Sequence, residues 1–278
     1  MFGELIKLIS TRNSLRGAVI RRLVRALTFI PYPVRLSVDA VERAHYGYCV
    51  FHAARQARLL GHKQISVLEF GVAGGNGLLN LEYHAMETKK HLDIDVEVYG
   101  FDTGEGLPDP VDYRDLPYFW RGGFYEMDQA KLVARLRFAK VVVGRICDTL
   151  PTFFAKYKPA PVAAVFIDLD YYSSTTEAFK LFEIGRENIL PRAYMYFDDI
   201  TAPEDALYSV FAGERLAILE FNNEHSQQKI SEAVYLRYGP NNFGAWRNQI
   251  YIYHDFSHPD YCRFLGAYDG RHGSLAIR

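Results

Sequence analysis

Residues 65–78 read Ile65-Ser-Val-Leu-Glu69-Phe-Gly71-Val-Ala-Gly74-Gly75-Asn-Gly77-Leu78. A short apolar run ends in an acid, a glycine-rich turn follows, and a helical pattern runs from Leu78 to Lys90. Strand, tight turn and helix in that order are the opening unit of a βαβ fold. Glycines at the turn let a ligand approach backbone N–H groups at the helix N-terminus. The run lacks the Gly-Lys-Ser/Thr ending of a P-loop, and Gly71-x-x-Gly74-Gly75-x-Gly77 does not have the G-x-G-x-x-G dinucleotide spacing. Glu69 would repel a diphosphate and attract an ammonium group. S-adenosylmethionine carries an ammonium, a sulfonium and no phosphate, so Glu69, Gly71, Gly74 and Gly75 are candidate cofactor-binding residues. The plainer alternative is a structural turn.

Outward from this unit, apolar runs alternate with helical patterns. Strands are predicted at Ile65–Phe70, Val96–Phe101, Lys140–Val143, Val162–Leu169 and Ala193–Phe197, and helices at Leu78–Lys90, Asp128–Phe138, Ser174–Ile189 and Glu204–Leu219. Runs such as Val-Ala-Ala-Val-Phe-Ile suit strands buried on both faces. Glu232–Tyr238 and Gln249–His254 read as an antiparallel pair at one edge. The fold class is therefore α/β: a Rossmann-like, doubly wound, mostly parallel sheet with an antiparallel edge pair over residues 61–278. Residues 1–60 form a helical N-terminal extension, including a helical stretch from Ser37 to Leu60. Residues 104–123 are long, aromatic and turn-rich, as a lid would be, with Tyr118, Trp120 and Phe124 as candidate lid residues.

Composition excludes other classes. The 278 residues are 49% hydrophobic and 23% charged, too apolar for a disordered chain. A formal charge of -1 gives no basic surplus for nucleic acid. Cys49, Cys147 and Cys262 form no C-x-x-C pair, which points to neither a disulfide framework nor a zinc site and suits a cytoplasmic location. Residues 1–30 hold six basic side chains against the single acid Glu4. There Val19, Ile20, Leu23, Val24 and Leu27 share one helical face, opposite Arg21, Arg22 and Arg25. Such a helix covers its own domain, docks on a second subunit, or lies on an anionic membrane through residues 11–30.

Acids close the predicted strands. Asp102 follows Val96–Phe101, where a carboxylate accepts ribose hydroxyls or simply caps the turn. Asp168 and Asp170 close the next apolar strand, and Asp198 with Asp199 the one after. Four acids at the carboxyl ends of neighbouring strands repel one another unless a cation or a proton intervenes. A hard divalent cation such as Mg²⁺ resolves this, making Asp168, Asp170, Asp198 and Asp199 candidate metal ligands. Asp168 and Asp170 lie two apart at the strand end; one of them is a candidate ligand and the other a candidate catalytic base. Arg145 and Ile146, after Lys140–Val143, are candidate neighbours of the adenine. Tyr46 could reach the cofactor from a folded-back helix, and His225 and His254 could line a pocket. Asp168-Leu-Asp170 also imitates the metal-binding Asp-x-Asp of a nucleotide-sugar glycosyltransferase, and a non-catalytic cofactor-binding scaffold is a further alternative.

The glycine-rich loop, Phe-Asp-Thr-Gly-Glu-Gly-Leu-Pro at 101–108, Ile-Asp-Leu-Asp-Tyr-Tyr-Ser-Ser-Thr at 167–175 and Phe-Asp-Asp at 197–199 occur in an order that resembles class I S-adenosylmethionine-dependent methyltransferases. The chain is most similar to the macrocin O-methyltransferase type, which methylates sugar hydroxyls. Gly104 stands where that type has Phe, and Leu169 where it has Gly. The resemblance, over about residues 65–200, implies a Mg²⁺-dependent O-methyltransferase acting on a small-molecule hydroxyl.

Overall fold

The computed structural model describes residues 15–27, 29–201, 204–238 and 245–266. Three helices come first: α1 (Leu15–Ala26), α2 (Tyr32–Ser37) and α3 (Ala44–Leu60). The sheet then alternates with helices as β1 (Gln64–Phe70), α4 (Asn76–Leu92), β2 (Asp95–Asp102), α5 (Gln129–Arg135), β3 (Lys140–Val143), α6 (Ile146–Tyr157) and β4 (Val162–Ile167). It continues through α7 (Tyr172–Phe179), α8 (Leu181–Ile184), β5 (Ile189–Phe197), α9 (Gly213–Glu224), β6 (Gln228–Glu232), α10 (Val234–Tyr238) and β7 (Ile250–Asp255). The seven strands lie in the order β3-β2-β1-β4-β5-β7-β6. The first five are parallel, and β7 joins β5 and β6 antiparallel. This is the predicted Rossmann-like sheet with its antiparallel edge pair.

One of the edge strands lies elsewhere than predicted. The strand read at Glu232–Tyr238 is Gln228–Glu232, and Val234–Tyr238 is the short helix α10. Gln228 and Ile230 bury their side chains while Lys229 and Ser231 do not, so the alternation lies four residues earlier in a stretch whose polar Gln hides it. The helix read as Ser174–Ile189 is broken into α7 and α8, and Glu204–Ala206 is only a 3-10 turn ahead of α9. The stretch from Ser37 to Leu60 is helical from Ala44, with Asp39 and Arg43 at positive φ before it.

Strand alternation divides the interior. On β1, Ile65 and Val67 face a cluster that includes Cys49, Val50, Ala53 and Ala57 of α3 and Leu78, Leu81 and Ala85 of α4. Leu68 and Phe70 face the opposite cluster with Leu150 and Phe153 of α6 and Phe179 of α7. Helix α3 thus belongs to the sheet's own core. Each sheet face has its helical layer, which satisfies the requirement that parallel sheets be covered on both sides.

Candidate active site

Four parallel strands end level with one another. Phe70 pairs in register with Phe101 of β2 and Ile167 of β4, and Ile167 pairs with Phe197 of β5. The next residues are Asp102, Gly71, Asp168 and Asp198, so the sequence places one glycine and three acids in a row along the sheet's carboxyl edge. Backbone bonds continue the register one step further: Asp168 N–H donates to Phe70 O at 2.9 Å and Asp198 N–H to Ile167 O at 3.0 Å. Gly71 is required by two constraints at once: its φ is +88°, and a Cβ would lie 1.8 Å from the Asp168 carbonyl oxygen. The row opens into a cleft of about 1390 Å³ lined by Gly71, Ala73, Asp102, Arg145, Ile146, Asp168, Asp170, Asp198 and Asp199, with Trp120 and Tyr125 from the long loop.

The glycine-rich turn is held from below. Asp102 Oδ2 accepts from the N–H groups of Val72 and Ala73 at 2.8 and 2.9 Å, and Oδ1 accepts from Gly104 N–H at 2.7 Å. Three of the backbone donors near the turn are therefore spent on a side chain. The two readings of Asp102 are compatible, because Oδ1 keeps a second lone pair and the carboxylate still borders the cleft. Gly75 serves the turn: its φ is +78° and a Cβ would lie 2.2 Å from Leu132 Cδ1. Gly74 is exposed, with open space where a Cβ would project, and neither it nor Gly75 lines the cleft.

Glu69 lies two residues before Gly71, on the side of the sheet that faces α3. Tyr46 donates to its Oε1 at 2.7 Å, while its Oε2 is buried with no partner. Gly77 makes room for the pair, since a Cβ there would lie 1.9 Å from Oε1 and 3.0 Å from the Tyr46 hydroxyl. Burial pushes the Glu69 carboxyl up to about 8, against the lowering effect of the Tyr46 bond. Glu69 is not among the residues that line the cleft, and its orphaned oxygen calls for a proton or a cationic partner.

Asp168, Asp198 and Asp199 each offer an oxygen within 4.8 Å of the others. An all-oxygen, all-carboxylate set of that spread fits a hard divalent cation such as Mg²⁺. Burial and the Asp199 and Asp198 charges hold Asp168 far above the usual carboxylate range. Asp199 is raised in the same sense, by burial and by Asp170. Asp170 stands outside the trio. The strand has ended at Ile167, Asp170 has a φ of +60°, and its N–H donates to Asp199 Oδ2 at 3.0 Å. Its carboxyl is pushed up to about 7, chiefly by burial and by Asp168. On a regular strand residues two apart share a face, so it is the chain's departure from the strand at Ile167 that separates the two acids.

Two contributors escaped the sequence reading. Glu214 is buried at the start of α9, accepts from Asp199 N–H at 3.1 Å through Oε2, and has an unpartnered Oε1. An acid in a first helical turn is too common to stand out. Asp115, also buried, pins the loop of residues 104–123 to the start of α7. Its Oδ1 accepts from Ser173 N–H at 2.8 Å, and its Oδ2 from Ser173 Oγ at 2.8 Å and Val111 N–H at 2.9 Å. Of the three lid candidates Trp120 alone lines the cleft. Tyr118 and Phe124 do not, and Tyr125 takes the second position. His225 stacks on Phe221 and His254 bonds with the Tyr261 hydroxyl, both away from the cleft lining.

No protein-family profile matches the chain, and no curated protein sequence does. Solved structures do. The calicheamicin methyltransferase CalS11 superposes with a TM-score of 0.52 at 19% identity, over 92% of this chain and 91% of its own. The O-methyltransferase NovP superposes with a TM-score of 0.50 at 14% identity, over 91% of this chain and 97% of its own. This is their fold. At such identities the likeness speaks for architecture, and activity has to be argued from the site.

Proposed function

We propose that this protein is an enzyme that transfers the methyl group of S-adenosylmethionine to a hydroxyl of a small molecule, a sugar or other vicinal diol, with Mg²⁺ or a similar cation at Asp168, Asp198 and Asp199. The observation that carries the reading is the single row of Asp102, Gly71, Asp168 and Asp198, which places a cofactor-sized turn and a metal-type carboxylate trio in one cleft. The likeness to two methyltransferases, one of them an O-methyltransferase, supports it. When bound, the sulfonium supplies the methyl group and the cation supplies Lewis acidity that favours loss of a hydroxyl proton.

The chain's own groups do the rest. Glu69, oriented by Tyr46, offers its free Oε2 to the cofactor ammonium, whose charge offsets the burial of the carboxylate. Asp102 keeps the turn in shape and faces the ribose. Arg145 and Ile146 border the adenine side. Asp170, outside the trio yet in the cleft, takes the hydroxyl proton as general base. Trp120 and Tyr125 form a wall that excludes water from a reaction between an anionic oxygen and a cationic sulfur.

Calorimetry with S-adenosylmethionine and S-adenosylhomocysteine, in Mg²⁺ and in EDTA, tests the reading. Micromolar binding in both conditions is expected, with Mg²⁺ needed only for turnover on diols. Absence of binding in either condition removes the proposal.

A further inference from the structure

The apolar face of α1 does not cover its own domain. Among the helix side chains described, Val24 is buried, packing with Val38 and Ala40. Val19, Leu23 and Leu27 stand 55%, 61% and 40% exposed, and Phe29 just beyond is 80% exposed. These three helix-side positions recur every four residues and form one stripe. Arg22 and Arg25 are exposed, with Arg21 half-buried. Residues 15–29 contain four arginines and no acid, and residues 1–38 hold seven of the 32 basic but one of the 33 acidic side chains. The rest of the chain is therefore acidic, and the charge is segregated onto the helix that exposes the apolar stripe.

From this we infer that α1 is a docking helix for an anionic lipid surface. A stripe of Val, Leu and Phe flanked by arginines inserts its apolar side among acyl chains while the guanidinium groups stay at the headgroups. A second copy of α1 fits less well, because facing stripes would bring arginine against arginine with no acid on either helix. The helix is firmly seated on the body: Arg25 donates to Val41 O at 2.9 Å, and the following turn leads to Arg43, stacked 5.2 Å over the Tyr46 ring. Tyr46 in turn bonds Glu69, so a chain of contacts connects α1 to Glu69. No helix among the described residues is long and apolar enough to cross a membrane, so the contact is with the bilayer surface.

Flotation of the full chain with vesicles decides this, using pure phosphatidylcholine and a 7:3 mixture with phosphatidylglycerol, each set about 0.1 M in salt. The protein is expected to float with the anionic vesicles at least about 25-fold more than with neutral ones and to be released at about 1 M salt. The double variant Arg21→Gln/Arg22→Gln is expected to partition roughly 25-fold more weakly, about fivefold per arginine. Leu23→Asp is expected to abolish flotation while its thermal melting and S-adenosylhomocysteine binding match the parent. No flotation on anionic vesicles, or equal flotation on neutral ones, overturns the inference. So does a parent dimer in light scattering that Leu23→Asp converts to a monomer without any vesicle binding, which assigns the stripe to a second copy.

Discussion

Glu82 and Glu69 are both buried glutamates, one in α4 and one at the end of β1, and their surroundings are opposite. The Glu82 carboxylate accepts from three consecutive backbone N–H groups, those of Arg137, Phe138 and Ala139, at 2.7 to 3.1 Å. Glu69 has one hydroxyl on Oε1 and nothing on Oε2. The contrast extends to other acids. Asp39 meets Arg247, Asp255 meets Arg186, and Asp115 gathers three donors at Ser173 and Val111. Asp168, Asp199 and Glu214, at the carboxyl edge of the sheet, have mainly one another, and all are raised by burial and mutual repulsion. Acids that hold the fold bring their donors with them. Asp168, Asp199 and Glu214 are left to be satisfied from outside, at a cost the fold bears when empty.

The sharpest way to break this contrast is Asp198→Ala. It is expected to lower turnover by more than about 100-fold, beyond what loss of a merely supporting residue does, with S-adenosylhomocysteine affinity nearly unchanged by calorimetry. Without metal the variant should melt no lower than the parent, because it removes a repelling charge, and Mg²⁺ should raise the melting temperature of the parent only. Turnover at the parent's level would return Asp198 to the structural set.

Glu82→Ala should behave in the opposite sense. It strands three backbone donors and is expected to lower unfolding free energy by about 3 kcal/mol in urea, with ligand affinity of the folded protein intact. Glu69→Gln follows in size. It keeps the shape and the Tyr46 bond while removing the charge, and is expected to weaken S-adenosylmethionine roughly tenfold to a hundredfold. An unchanged affinity would mean that the orphan oxygen of Glu69 meets no ligand.

Titration separates the two sets by sign. Glu69 is raised to about 8 and Asp170 to about 7 in the folded chain. Between the unfolded carboxylate range, near 4, and those values the folded state holds more protons. Stability of the empty protein in EDTA is therefore expected to fall as pH rises from about 5 to 8, measured by urea unfolding. Asp255 runs the other way: two bonds from Arg186 lower it to about 2, so its contribution is present above about pH 4 and fades as pH falls toward 2. Arg186 is exposed but Asp255 is buried, and Arg186→Ala, which strips the carboxylate of two of its donors, is expected to cost about 1 to 2 kcal/mol. A uniform pH response in parent and variants would erase the distinction.

Much of this was legible in advance because buried parallel strands are short, mainly apolar runs. Val162–Ile167, within the stretch read as Val162–Leu169, and Ala193–Phe197 stand out for that reason, and the acids that follow them stand out by contrast. Strand β6 was not legible, since Gln228 is buried by its pairing across the sheet, where it accepts from the Tyr253 hydroxyl at 3.0 Å. Asp115, Glu214 and the Tyr46–Glu69 bond depend on segments 15 or more residues apart meeting in space, which no local pattern encodes.

By itself the sequence determined the alternation of strands and helices, the glycine at Gly71 and the identity of the acids at each strand end, because these follow from periodicity and local sterics. Tertiary structure decided which acids act together. The level ends of β1, β2, β4 and β5 line up Asp102, Gly71, Asp168 and Asp198. The departure of the chain at Ile167 then takes Asp170 out of the trio that Asp199 completes. It also decided that α1 turns Val19 and Leu23 outward. Register and packing are set by contacts between distant segments, and only the folded chain brings those together.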